Sequence, residues 1–147
     1  MALFDSINIS ASGLTAERLR MDIISQNIAN ANTTRTSDGM PYRRKMVVFK
    51  EASVNQPFSY YLSNAQNSIK KSGVKVSQIV EDKSEFKLVY NPGHPDADEN
   101  GYVKMPNVDI MVEMVNMISA TRAYEANVTS INSTKSMIMK ALEIGRI

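Results

Sequence analysis

Both ends of this 147-residue chain carry large apolar residues at intervals of seven. Near the N-terminus, one such series runs through Ile7, Leu14, Met21 and Ile28. Near the C-terminus, a second series contains Ile110, Met117, Tyr124, Ile131 and Ile138. Apolar residues spaced three and four apart keep one narrow side of a helix facing a partner helix. The pattern therefore predicts two long helices that pair, in a chain built to assemble.

The boundaries of the two helices are marked by polar residues. The first helix is predicted from about Leu3 to about Asn30, where several asparagines compete for backbone hydrogen bonds. The second is predicted to begin at an N-cap, Asn107 or Asp109, and to stop at Gly145. Because both helices leave the same middle segment, they are expected to return antiparallel as a coiled-coil-like pair.

The middle of the chain has a different character. Alternating or β-branched residues predict strands over 42–49, 74–78, 86–90 and 102–105. The polar stretch at about 51–73 is predicted to be an exposed loop. The predicted fold is therefore α+β, with a small β-rich insert between the two helices. The predicted division is an N-terminal axial helix over 1–34, the insert over 35–107, and a C-terminal axial helix over 108–147.

The residues expected to form the assembly interface follow from the two series and their neighbours on the same helix side. They are Leu3, Ile7, Leu14, Met21, Ile24, Ile28, Ile110, Met114, Met117, Tyr124, Val128, Ile131, Ile138 and Leu142. Asn127, Asn132 and Lys135 lie near this stripe, and such groups are costly in the private core of two helices. Polar groups there predict that the helices meet additional helices from other molecules.

Composition excludes several classes of protein. The net charge of +2 is too small to indicate nucleic acid or an anionic membrane as a partner. The absence of cysteine excludes disulfides, thiolate metal sites and a cysteine nucleophile. No run approaches the roughly 18 apolar residues of a membrane helix. The first residues lack the basic and apolar regions of a cleaved leader, so any export is expected to occur without one.

Two polar motifs suggest chemistry but favour a structural interpretation. Residues 96–101 match the first six positions of a calcium loop, but position twelve is Asn107 instead of a bidentate glutamate. A tight acidic turn is therefore the favoured interpretation. The basic run 43–45 has no aromatic platform beside it, so a solvent-exposed strand face is favoured over a nucleic-acid site. No motif for an enzyme, a cofactor or a small-molecule substrate is present.

Five segments resemble motifs of the bacterial flagellar basal-body rod proteins, most closely those of the proximal rod. They include Asn27-Ile-Ala-Asn30, which rod and hook proteins share, and narrower motifs over 36–45 and 91–108. The segments are 10–34, 36–45, 91–108, 113–127 and 134–139. The resemblance covers about 1–50 and 86–147.

This resemblance implies a structural subunit that polymerises helically into the rod in the periplasmic space and transmits torque. The implied partners are other rod subunits, further copies of the chain, the adaptor between rod and export gate, and the membrane ring. Export would use the flagellar type III apparatus. The basic run 43–45 and the acidic loop 96–101 would face neighbouring subunits. Two alternatives remain open: a non-polymerising coiled-coil adaptor or scaffold, and a small hydrolase using His94 and Asp96.

Overall fold

The computed structural model describes residues 2–52 and 72–145, and side chains from residue 4 onward. Helix α1 spans Ala2–Ala29 and helix α2 spans Ile110–Ile144. Four strands lie between them in the chain: β1 over Lys45–Ala52, β2 over Gly73–Glu81, β3 over Lys87–Tyr90 and β4 over Tyr102–Met105. The α+β architecture is confirmed, with two long helices packed together and a small β region connecting them.

Side-chain and backbone caps fix the ends of α2. The Oδ1 atom of Asp109 accepts hydrogen bonds from the backbone N–H groups of Met111 and Val112, at 3.0 and 3.4 Å. Gly145 ends the helix, with its N–H donating to the carbonyl of Ala141. Of the two predicted N-caps, Asp109 is therefore correct. Asn107 instead bonds to Arg44 and Ser84.

The helices pack antiparallel through small and polar side chains. Ser10 Oγ donates to Ser130 Oγ at 3.4 Å. A Cβ atom added at Gly13 would lie 3.1 Å from the side-chain amide of Asn127. Ala120, seven residues from both Glu113 and Asn127 on the same side of α2, is fully buried. Small residues such as Gly13 and Ala120 allow the two backbones to approach closely, and the larger apolar side chain of Ile24 is also buried.

Asn127 is accommodated within this seam, contrary to the expectation that it needs additional helices. Its Nδ2 atom donates to the carbonyl of Ala123 at 2.9 Å, and the missing side chain of Gly13 leaves room for the amide. Asn132 and Lys135 are exposed and do not enter the seam. The pair therefore accepts one polar group at low cost, because that group is hydrogen-bonded.

The strands form two separate antiparallel ribbons. β1 pairs with β2, with a register shift between Val48 and Phe49, and β3 pairs with β4. The β1–β2 ribbon lies along α1, and the backbone N–H of Val74 donates to Ser12 Oγ at 3.0 Å. The predicted exposed loop at about 51–73 falls mostly on residues 53–71, outside the described residues. Its predicted ends, 51–52 and residue 73, belong to β1 and β2.

The first strand begins three residues later than predicted. The backbone N–H groups of Tyr42 and Arg44 bond to the carbonyl of Thr33 and to Asn107 Oδ1 instead of a neighbouring strand. Strand β4 has the predicted bounds. Within the described residues, neither helix has a stretch long and apolar enough to cross a membrane. The division of the chain into 1–34, 35–107 and 108–147 remains a prediction.

The close approach at Gly13 generates a stability prediction. Gly13→Val places a branched side chain against Asn127, and overpacking of this kind costs about 1–3 kcal/mol of unfolding free energy. Urea unfolding followed by circular dichroism measures the change. Ala11→Val, on the exposed side of the same helix, is the matched control and should cost less than about 0.7 kcal/mol, the propensity difference. Equal losses for both variants would show that the seam is not closely packed at Gly13.

Candidate assembly interface

A buried carboxylate lies where both helices meet the β insert. Glu113, in the first turn of α2, is 0% exposed. Its Oε1 atom accepts hydrogen bonds from Arg44 Nε at 2.9 Å and from Arg44 Nη2 at 2.7 Å. Its Oε2 atom accepts one from Asn27 Nδ2 at 2.9 Å. Removing a carboxylate from water is costly unless it is paired, and here both oxygens have charged or polar donors.

Asn27 connects this carboxylate to the backbone of the insert. Its Nδ2 atom also donates to the carbonyl of Lys45, and its Oδ1 atom accepts from the N–H of Lys45, both at 2.9 Å. The hydroxyl of Tyr42 donates to the same Oδ1 atom at 2.9 Å. An amide offers two donor hydrogens and two acceptor lone pairs, and all four are used. The side chain therefore acts as a short strand neighbour for the first residue of β1.

Asn107 and Asp82 complete the connection. Asn107 Oδ1 accepts from the N–H of Arg44 at 2.9 Å, while its Nδ2 atom donates to Ser84 Oγ at 2.8 Å. Arg44 Nη1 lies 3.6 Å from Asp82 Oδ2. The pKa of Asp82 is lowered, first by hydrogen bonds from Ser84 and then by the charge of Arg44. We name Asn27, Tyr42, Arg44, Asn107 and Glu113 the junction cluster.

The junction cluster corrects one expectation drawn from the resemblance. The basic run 43–45 was expected to face neighbouring subunits, but Arg44 is committed to Glu113. Arg43 lies over the ring of Phe86, 4.3 Å from its centroid, and donates to the carbonyls of Asp82 and Ser84. Both arginines therefore make contacts within the chain: Arg44 neutralises the buried Glu113, and Arg43 holds the segment 82–86.

The acidic loop is also held within the chain. Asp96 Oδ2 accepts a hydrogen bond from Thr34 Oγ1 at 2.9 Å, and its Oδ1 atom lies 3.9 Å from Arg35. His94 Nδ1 accepts from the backbone N–H of Asp96 at 3.1 Å, and Gly101 closes the loop with φ of 77°. These bonds match the predicted tight turn and tie the loop to the segment that follows α1.

The predicted interface residues fall into three groups. Ile24 is buried in the single chain, and the side chain of Leu3 lies outside the described residues. Nine are half-buried beside the seam: Ile7, Leu14, Met21, Ile28, Met117, Tyr124, Val128, Ile131 and Ile138. Three are exposed: Ile110, Met114 and Leu142. The heptad pattern thus marks the flanks of the helix pair, and small residues occupy its centre.

Helix α2 carries an exposed apolar stripe of which the predicted interface contains one member, Met114. Its members are Met111, Met114, Val115 and Ile118, and Met111 is 71% exposed. They recur at a spacing of three and four, so they share one side of the helix. Met111, Val115 and Ile118 lie outside the seven-residue series through Ile110, but the three-and-four spacing from Met111 marks them. We name these four residues the outer stripe.

Two family descriptions match the segments that contain the helices. "Flagella basal body rod protein" matches residues 7–35, and "Flagellar basal body rod FlgEFG protein C-terminal" matches residues 99–144. A flagellar basal-body rod protein FlgC of Bacillus subtilis is 52% identical, and the alignment covers 99% of this chain and 100% of the relative. The chain belongs to the FlgC family of flagellar basal-body rod proteins.

Other members of the FlgC family agree over the same length. The protein from Borreliella burgdorferi is 52% identical over 98% of each chain. The one from Salmonella typhimurium is 44% identical over 99% of this chain and 100% of its own. The alignments also span the stretch 51–85, which carried no recognisable motif. The family consists of structural rod proteins and is not enzymatic.

The junction cluster predicts that two glutamates of α2 differ sharply in their contribution to stability. Glu113→Ala leaves Arg44 without its buried partner and Asn27 without an acceptor, so it should cost about 3 kcal/mol of unfolding free energy. Glu125→Ala, which removes an exposed pair with Arg122, should cost less than about 1 kcal/mol. Chemical denaturation of both variants tests this. Similar losses would contradict the assigned role of Glu113.

The surroundings of Tyr42 predict that the folded protein loses stability at alkaline pH. Its pKa is raised above 10.0, first by burial and then by the charges of Glu113 and Glu81. The pKa of Tyr42 is therefore higher in the folded than in the unfolded state. Its contribution to the free energy of unfolding is complete below the unfolded-state pKa and is lost as the pH rises through the folded-state pKa. Tyr42→Phe should cost about 1 kcal/mol at pH 8, from the lost bond to Asn27, and should flatten the decline above pH 10.

Urea midpoints measured between pH 8 and pH 11 test this dependence. Tyr90→Phe is the control, because it removes a phenol from an exposed side chain on β3. It should retain the alkaline decline of the unmodified chain. A Tyr42→Phe profile parallel to that of the unmodified chain would contradict the prediction.

Proposed function

We propose that this chain is a structural subunit of the flagellar rod that polymerises helically through its terminal helices. The observation that carries this proposal is the outer stripe of α2, which the chain's own packing leaves uncovered. Contiguous exposed apolar side chains mark surfaces that other proteins cover. Membership of the FlgC family supplies the setting in which such a surface is covered by further axial subunits.

The arrangement of the helix pair suits this role. Its seam of small and polar residues closes the pair, and half-buried residues beside the seam, such as Tyr124 and Ile131, share one side of α2 and present apolar surface there. A contact between different surfaces of successive copies produces an open helical polymer when the rotation does not close. We infer that the helices form the inner wall of a tube and that the insert makes contacts outside it.

The finer parts of the proposal rest on the motifs over 36–45 and 91–108. We place the subunit in the proximal rod, where it would transmit torque across the periplasmic space. Its partners would be further copies, other rod subunits, the adaptor between rod and export gate, and the membrane ring. It would reach this place through the type III export apparatus without a cleaved signal peptide.

Substituting a residue of the outer stripe tests the proposal. Met114→Asp introduces a charge at a side chain that is 50% exposed, so the single chain should keep its fold while the subunit contact loses apolar area. The amount of the chain in purified basal bodies should fall at least tenfold, at unchanged cellular level. Met40→Asp is the matched control, since Met40 is 53% exposed and lies in the turn before β1.

Two results would contradict the proposal. One is normal incorporation of the Met114→Asp chain into basal bodies. The other is a purified wild-type chain that forms only a small complex of fixed size with its rod partners. That second result would favour the non-polymerising adaptor.

A further inference from the structure

Helix α2 extends beyond the end of α1. The hydrogen bond between Ser10 and Ser130 sets the antiparallel register, which places residue 2 of α1 opposite residue 138 of α2. Residues 139–144 therefore pass the end of the partner helix. Their apolar side chains, Met139, Leu142 and Ile144, are exposed, with Leu142 at 65%. This overhang, defined as residues 139–144, is about 9 Å long at 1.5 Å per residue.

A groove lies between α1 and the β1–β2 ribbon. It has a volume of about 510 Å³ and is lined mainly by apolar surface, to which Ala16, Leu19, Val74 and Val76 contribute. The size falls within the range of sites that accept several apolar groups. Ser12, which accepts a hydrogen bond from the N–H of Val74, is one of the lining residues, so the groove begins at the point where the strand is anchored to α1.

The rim of the groove carries more positive than negative charge. Arg18 and Lys75 lie among its lining residues, together with the single carboxylate of Asp22. The C-terminus of a helix carries about half a negative charge on its free carbonyl groups. The last turn of α2 contains no basic residue that offsets this charge. The charged side chains of the overhang, Lys140 and Glu143, pair with each other at 2.7 Å, so its complementarity in charge to the rim comes from the helix end alone and adds to the apolar match.

We propose that the overhang of one copy seats in the groove of a second copy. The proposal rests on the proposed function, because it names one contact of the polymer. Within a single chain the contact is out of reach. Leu19 lies opposite residue 121 in the register, and Leu142 is a further 21 residues along α2, about 32 Å away at 1.5 Å per residue. The contact joins two different surfaces and so propagates from head to tail.

Disulfide trapping tests this contact directly, because the chain has no cysteine of its own. The double variant Leu142→Cys, Val76→Cys is produced in flagellated cells that lack their own copy of the chain. Basal bodies are then purified and mildly oxidised. A head-to-tail contact links each copy to the next, so a ladder of dimers, trimers and larger products should appear without reducing agent. Each single variant should give less than a tenth of this product.

The control pairs Leu142→Cys with Ser25→Cys, which is exposed on α1 and does not line the groove. This pair should give no ladder. If the Leu142→Cys, Val76→Cys chain is present in basal bodies at normal level but forms no ladder, the groove contact is wrong and the proposed rod function stands. A ladder of equal strength from the Ser25 control would also overturn the contact.

If the cysteine pair is not incorporated into basal bodies, a pair of oppositely charged substitutions tests the same contact. Leu142→Asp alone and Leu19→Lys alone should each reduce incorporation at least tenfold, by placing one charge in an apolar contact. Together they should restore at least a third of the normal amount, because the two charges then meet. A double variant that is no better incorporated than the worse single variant would overturn the contact. Absence of even the wild-type chain from basal bodies would instead refute the proposed function.

Discussion

The ion pair between Glu113 and Arg44 determines how the three parts of this molecule meet. A carboxylate with no exposure to water requires donors on both oxygens, and the effective penalty for leaving such an ion unpaired is several kcal/mol. Arg44 comes from the start of the insert, Asn27 from the end of α1, and Glu113 from the start of α2. None of the three segments can satisfy the carboxylate without the other two. The buried carboxylate therefore fixes the starts of α2 and β1 to the end of α1, in addition to the contact of the β1–β2 ribbon with α1 at Ser12.

The helix pair packs closely at its small residues. Gly13 and Ala120 allow the backbones to lie close together, and this packing leaves the outer stripe of α2 facing water. One helix thus presents a side that serves the fold and a side available to other molecules. Substitutions on the two sides should be separable by experiment, since one set changes stability and the other changes association.

Local sequence patterns predicted both helices and all four strands, although β1 begins three residues later than predicted. The bounds of β4 follow from alternation and were predicted, whereas side-chain chemistry limited the cap of α2 to Asn107 or Asp109 without deciding between them. The heptad series correctly predicted that the helices pair. It could not indicate which residues occupy the seam, because Gly13 and Asn127 meet only when the register between the helices is known. The bond between Asn27 and Glu113 spans 86 residues, and neither residue shows it in its local sequence. The partners of Arg44 were missed for the same reason.

The position of Asn27 also has a consequence for the behaviour of β1 as an edge strand. A strand with one free side offers unpaired N–H and C=O groups to any other extended chain, which is a route to aggregation. At Lys45 both outward backbone groups are already bonded to a side chain that is 1% exposed. An incoming strand would have to displace a buried amide from α1 before it could pair there. The residue that joins the helix to the insert thus also blocks non-native strand addition at the start of β1.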